Sequence, residues 1–243
     1  MAVDPENATD AVPSPDEEPT PARMEAFSDG VFAIIITLLV LELRVPRANA
    51  LHGTSLGTAL WHQWPVYVAF MISFLQVGVV WANHHAMFHY IRRTDHRLLV
   101  YNLLLLLCAA LLPFTSALLA EYVRGSESEL RLAALIYSGI LGLCGVFFSA
   151  VWHHALNAKL VKPHANPHRL DALRVHWLLL PVFYGIAFLV ALINARLSLV
   201  MYLVLLVYYA LPGPALLRWM TARNKRVTAD EPGAPGTNAR RKV

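Results

Sequence analysis

A chain with eleven histidines and sixteen acids scattered through apolar sequence raises the question of what chemistry those groups could do. Three histidine pairs stand at spacings that could hold a metal: His85-x-x-x-His89, His153-His154 and His164-x-x-x-His168. Imidazole suits iron or zinc, although histidines at a membrane surface are common without metal. Asp29 with His84 could instead relay protons, as acid–histidine pairs do in transporters. A phosphate-binding P-loop and a GxSxG nucleophile elbow are both absent. Cys108 and Cys144 have no CxxC or CxxH neighbour, so they read as packing residues. The densest cluster of ionisable groups is Arg23, Glu25 and Asp29, directly ahead of a long apolar run.

The elements that must position these groups are membrane helices. Of 243 residues, 57% are apolar and only 15% charged, against about 45–50% and 25% in a soluble domain. The apolar excess falls in six blocks: Met24–Val45, Thr58–Ala82, His96–Ala120, Glu129–Trp152, Asp171–Ile193 and Leu197–Met220. Each is long enough to cross about 30 Å of hydrocarbon at 1.5 Å per residue. The fold expected is therefore all-α, a bundle of six transmembrane helices spanning 23–220. Residues 1–22 and 221–243 are charged, Pro-containing and poor in apolar residues, and read as disordered cytoplasmic tails. No signal peptide is visible, so the first span must direct insertion. Pro46 is expected to close that span, and Pro113 and Pro181 to kink theirs. Gly139, Gly142 and Gly145 are expected to mark a close helix contact.

Charge sets the orientation. Fifteen of the twenty Lys and Arg residues fall on one side: Arg23, the second-to-third loop, the fourth-to-fifth loop and the C-terminal tail. With six spans, the positive-inside rule puts both termini in the cytoplasm. The net charge of +4 is then a topology signal and a contact for anionic lipid, not a nucleic-acid surface.

The first span opens Arg23-Met-Glu-Ala-Phe27-Ser28-Asp29-Gly30 and continues through Ile34, Thr37, Leu38 and Leu41 to Glu42. Its ionisable groups either face a bundle interior or occupy interfacial turns, where acids suit the positive end of the helix dipole. At 100° per residue, Ile34, Leu38 and Leu41 fall on one stripe with Thr37 on its flank and Phe27 and Arg23 lower down. Asp29 points roughly the opposite way. A stripe of this kind lines a pore in some proteins and faces lipid or core in most; pattern alone leaves both open.

The motif Arg23-x-x-x-Phe27-Ser28-Asp29-Gly30, followed by an apolar run with Thr37, resembles the first-helix motif of the transmembrane protein 175 family of potassium channels. The six-span layout resembles that of its single-repeat prokaryotic members. The resemblance implies a homotetramer in the cytoplasmic membrane, with four first helices around a central pore. It also implies a constriction at Ile34, with Leu38 and Leu41 further along, and a selectivity ring at Thr37. Potassium and other monovalent cations would be the permeant species, and no cofactor is implied.

A ring of apolar side chains gates by dewetting, and threonine hydroxyls can replace part of an ion's water. No TVGYG filter is present, so modest discrimination between potassium and sodium is expected. Glu42, and less readily Asp29, could concentrate cations at the mouths. The family's motif is held by a polar network. Here Ser28, Asp29, Asn83 and either His84 or His85 are expected to form it, since polar groups in a membrane must be paired. The histidine pairs also resemble the boxes of membrane di-iron enzymes, but no HxxHH box is present and the spacings do not match. A proton-coupled transporter and a metalloenzyme stand as the alternatives.

Overall fold

The computed structural model describes residues 20–47, 55–163 and 165–211. Among them the architecture is all-helical. The elements are α1 (Ala22–Leu38), a 3-10 turn (Leu39–Glu42), α2 (Leu56–His62), α3 (Trp64–Phe88) and α4 (His96–Ala110). They continue with α5 (Leu112–Tyr122), α6 (Glu127–Asn157), α7 (Pro167–Ile193) and α8 (Ala195–Ala210). Five helical stretches are long and apolar enough to cross a membrane, α4 and α5 counting together, and α8 is a shorter apolar helix. The sixth expected span reaches to Met220, and its part beyond Leu211 lies outside the described residues. So do residues 1–19 and the tail 221–243, while α1 begins at Ala22.

Several boundaries differ from the sequence reading for local reasons. The first span ends at Glu42 and not at Pro46. Proline bars helical geometry at Val45, the residue before it, and the last turn tightens to 3-10. The third span is broken at Leu111, because Pro113 has no N–H to continue the ladder and α5 starts afresh with proline in its first turn. The fifth span starts at Pro167, four residues before Asp171, with the proline at the first helical position of α7. α2 is an extra element: its serine cap, Ser55, accepts from Thr58 N, and no residue of the helix is buried.

α6 is the centre of the bundle, packed on α4, α5, α7 and α8. It enters through a capping box in which Ser126 and Glu129 satisfy each other's backbone donors. Glycines let α7 lie close along it. Gly142 faces Tyr184 Cβ, and a methyl added at Gly145 would fall 2.7 Å from Leu180 Cδ2 and 3.0 Å from the Pro181 backbone nitrogen. α1 packs mainly against α3 and α4, through Met24, Ser28, Phe32 and Ile35.

The described loops sort to two poles. At one pole, Arg92 N and Arg93 N donate to Leu160 O, Lys162 N donates to Tyr90 O, and Ile91 pairs with Val161. This ties the α3–α4 loop to the α6–α7 loop, bringing their basic residues together near the start of α1. The Asp95 carboxylate caps α4 at Leu98 N and meets His154 Nε2 of α6 at 2.7 Å. Burial alone would raise its pKa. The Leu98 N–H, the His154 hydrogen bond and the positive charge of His154 and Arg97 outweigh that and hold it below the usual carboxylate value.

Candidate functional site

Two faces of α1 carry the candidate residues. The inward face meets a polar chain buried among α1, α3 and α4. His84 Nε2 lies 2.8 Å from Asn102 Oδ1, Asn102 Nδ2 donates to Ser28 Oγ at 2.9 Å, and Ser28 donates to the Met24 carbonyl at 2.8 Å. An amide oxygen can only accept, so His84 is the donor and carries its proton on Nε2. The ring is fully buried, stacked on Phe88 at 4.3 Å and edge-on to Phe32 at 5.4 Å. A series of directed bonds of this kind fixes the rotation of α1 about its axis, because a small turn would orphan buried groups.

Closer to the surface, two further bonds stitch α1 to α3. Trp81 Nε1 donates to Asp29 Oδ1 at 2.8 Å, and His85 Nδ1 lies 3.1 Å from Glu25 Oε1. The single cluster expected from sequence is therefore split. Ser28 and His84 are brought together, with Asn102 as the link that sequence reading missed. Asp29 binds Trp81 and no histidine, and His85 pairs with Glu25. Asn83 is elsewhere altogether: its Nδ2 donates to the carbonyls of Val79 and Tyr209, holding α3 to the end of α8. The signal for Asn102 was present as a lone amide inside an otherwise apolar run, Tyr101-Asn-Leu-Leu-Leu-Leu-Leu-Cys108.

The outward face of α1, continued by the 3-10 turn, is exposed among the described residues. Ile34 is 59% exposed and Leu41 71%, with Leu38, Phe27, Arg23 and Thr37 also open. The Thr37 hydroxyl donates to Ile34 O at 2.9 Å. Its lone pairs thus point outward, available to a cation while the proton is tied to the helix. Ile36 turns aside to pack on the core around Phe32 and Ile35. The stripe predicted by the helical wheel is thus one continuous exposed surface.

Metal chemistry finds no frame here: among the described residues no three His, Cys, Asp or Glu side chains gather as a metal site. His164 lies outside those residues. His153-His154 contributes its second member to Asp95, and His85 to Glu25.

Comparison with known proteins bears on most of the chain. A potassium channel of Chamaesiphon minutus is 41% identical over 205 residues, covering 84% of this chain and all of the relative. A potassium channel of Streptomyces collinus is 38% identical over 192 residues, covering 77% of this chain and 90% of the relative. The crystal structure of a lysosomal potassium-selective channel TMEM175 homolog from Chamaesiphon minutus aligns with a TM-score of 0.71 at 40% identity, over 79% of this chain and 97% of that one. The family model for the endosomal/lysosomal potassium channel TMEM175 matches residues 23–113, from the start of α1 into α5. Motif, helical architecture and relatives agree, and the chain belongs to the TMEM175 family.

Proposed function

We propose that the protein is a passive, potassium-permeable cation channel, with its pore lined by the outward face of α1. The family and the similar bacterial proteins are channels and not enzymes, which supports conduction without catalysis. The observation that carries the pore assignment is the pairing of opposite faces on one helix. A directed polar chain locks Ser28 inward, and the same rotation leaves Ile34, Thr37, Leu38 and Leu41 exposed among the described residues.

An exposed apolar face alone would suit lipid, and α7 has one of its own in Leu178, Val182 and Leu189. Among the described helices, α1 is the one whose open apolar face is registered by a buried network and interrupted by a threonine hydroxyl. Four copies around an axis would form a ring at Ile34 that excludes water when narrow, with Thr37 offering oxygen one turn on. The homotetramer, the cytoplasmic membrane of a prokaryote and cytoplasmic termini complete the reading. The charge asymmetry and the joined basic loops support that orientation.

Purified protein in liposomes tests it. Potassium flux down its own gradient, indifferent to a pH step and faster than sodium flux, is the expected result. Flux no greater than in empty vesicles would remove the channel reading, and flux that tracks the pH step would favour a proton-coupled transporter. A label at Ser126 should react from outside, and one at Asn166 only from inside.

A further inference from the structure

At the pole away from the basic loops, the end of α1, the start of α3 and the end of α5 enclose a cavity of about 610 Å³. Its walls combine two carboxylates, Glu42 and Glu121, one guanidinium, Arg44, and the aromatic rings of Phe70, Phe114 and Tyr122. Sequence alone puts Glu42 at a pore mouth; in the structure it faces this cavity. Neither acid has a hydrogen bond or ion pair among the described residues. Two buried polar atoms also lack partners, Gln63 Oε1 and Ser116 Oγ. Ser116 is 6% exposed and lines the cavity from α5.

A second, apolar groove of about 180 Å³, lined by Val68, Ile72, Leu119 and Leu203, adjoins the cavity. Ala69, Ser73, Ser116 and Ala120 line both, so a chamber with charged walls and an apolar slot meet along the packing of α3 on α5. Around this pole, Trp61 is exposed on α2, and Trp64 lies under the Arg124 guanidinium at 5.1 Å. Tryptophans gathered in this way mark the level of lipid headgroups.

We propose that chamber and groove together bind one zwitterionic phospholipid with a primary ammonium headgroup, in the leaflet opposite the basic loops. The chamber's charges match that headgroup part by part. Arg44 suits the phosphate, and Glu42 and Glu121 suit the ammonium. The orphaned Gln63 oxygen can only accept, so it favours an ammonium with N–H donors over a quaternary one. The aromatic walls suit a cation as well. Ser116 stands five residues, about 7.5 Å along α5, from Glu121. That is the depth at which the ester carbonyls of a lipid follow its headgroup, and the Ser116 hydroxyl has a proton to give them. The acyl chain then occupies the groove. This site stands whether or not α1 lines a pore.

The full-length protein, exchanged into detergent with one added lipid at a time, is assayed by native mass spectrometry. Phosphatidylethanolamine should be retained about fivefold better than phosphatidylcholine of the same chains, the difference of one or two charge-assisted hydrogen bonds. Glu42→Gln with Glu121→Gln should abolish that preference. Ser116→Ala, which preserves shape, should weaken both lipids without altering their ratio. Arg44→Gln should do the same, and carries the test if the double variant fails to assemble. Equal retention of the two lipids by the wild-type protein would overturn the proposal. So would a preference that survives the double variant, or free phosphoethanolamine binding as well as the whole lipid.

Discussion

α6 and α1 both cross the same apolar slab, and they are finished differently. α6 runs thirty-one residues, is capped reciprocally at its start, and has neighbours along most of its length, with α7 laid against its glycines. α1 runs seventeen residues with no side-chain cap. It is held on one side by a polar chain and left open on the other. α6 draws neighbours from four helices of the same chain, although Leu132, Leu143 and Val146 stay exposed. The open face of α1 is left exposed among the described residues, and in the proposed tetramer other subunits would cover it. On that proposal the two helices separate what the sequence spends on folding from what it spends on permeation.

The strongest way to break this contrast is to place the same change on two equally open surfaces. Ile34 on α1 and Leu189 on α7 are each 59% exposed. Ile34→Asn should raise potassium flux at least about tenfold, because amides hydrate a ring that otherwise dewets. Leu189→Asn should leave flux per assembled protein unchanged. Equal behaviour in liposome flux would mean that α1 faces lipid as α7 does.

Removing the network behind the stripe comes next in size. Asn102→Ala strands the buried His84 donor and leaves Ser28 without its partner, at about 1–3 kcal/mol for each orphaned group. Thermal unfolding should show a clear loss of stability, and the assembled oligomer should become scarcer. Selectivity of the surviving channels should hold. A stable Asn102→Ala protein with altered selectivity would instead put the network in the ion path.

Gly145→Ala probes the other region. The added methyl meets the backbone of Pro181, which cannot rotate away as Leu180 can. The expected cost is about 1–3 kcal/mol of stability, read by the same melt, with flux per folded channel unaffected. Thr37→Val keeps the shape and removes the hydroxyl. The smallest effect is expected there, a reduction of a few-fold in potassium preference with assembly intact, measured by reversal potential and judged against about 1 kcal/mol for one neutral hydrogen bond.

How far the sequence reaches is visible in α3. The period of Ser73, Gln76, Val77, Val80, His84, Met87 and Phe88 is helical, so a closer reading of phase would have chosen His84 over His85 as the buried histidine. The same phase places Trp81 on the other side, where it meets Asp29. The destination of Asn83 is a different matter. Its partner, Tyr209 O, belongs to α8, and which helix lies beside which is decided by packing across the bundle, not by any local pattern. Asn102 was missed for a related reason: one amide in an apolar run announces a buried partner but not its identity. The break at Leu111 and the early end of α1 were signalled by prolines, whose effect on helix direction is local even when its extent is not.

The polar chain that holds α1 lies entirely in its first two turns, at Met24 and Ser28, while beyond it the helix and the 3-10 turn that follows meet their neighbours through apolar side chains such as Phe32, Ile35, Ile36 and Leu39. Mechanically that is a lever with one fixed end. Leu41 lies about 20 Å from the Ser28 fulcrum and Ile34 about 9 Å, so a tilt of about 3° swings Leu41 by about 1 Å and Ile34 by about half as much. Such a tilt would have to shift Ile35 and Leu39, both buried in the core, so the apolar packing at that end sets how far the lever moves.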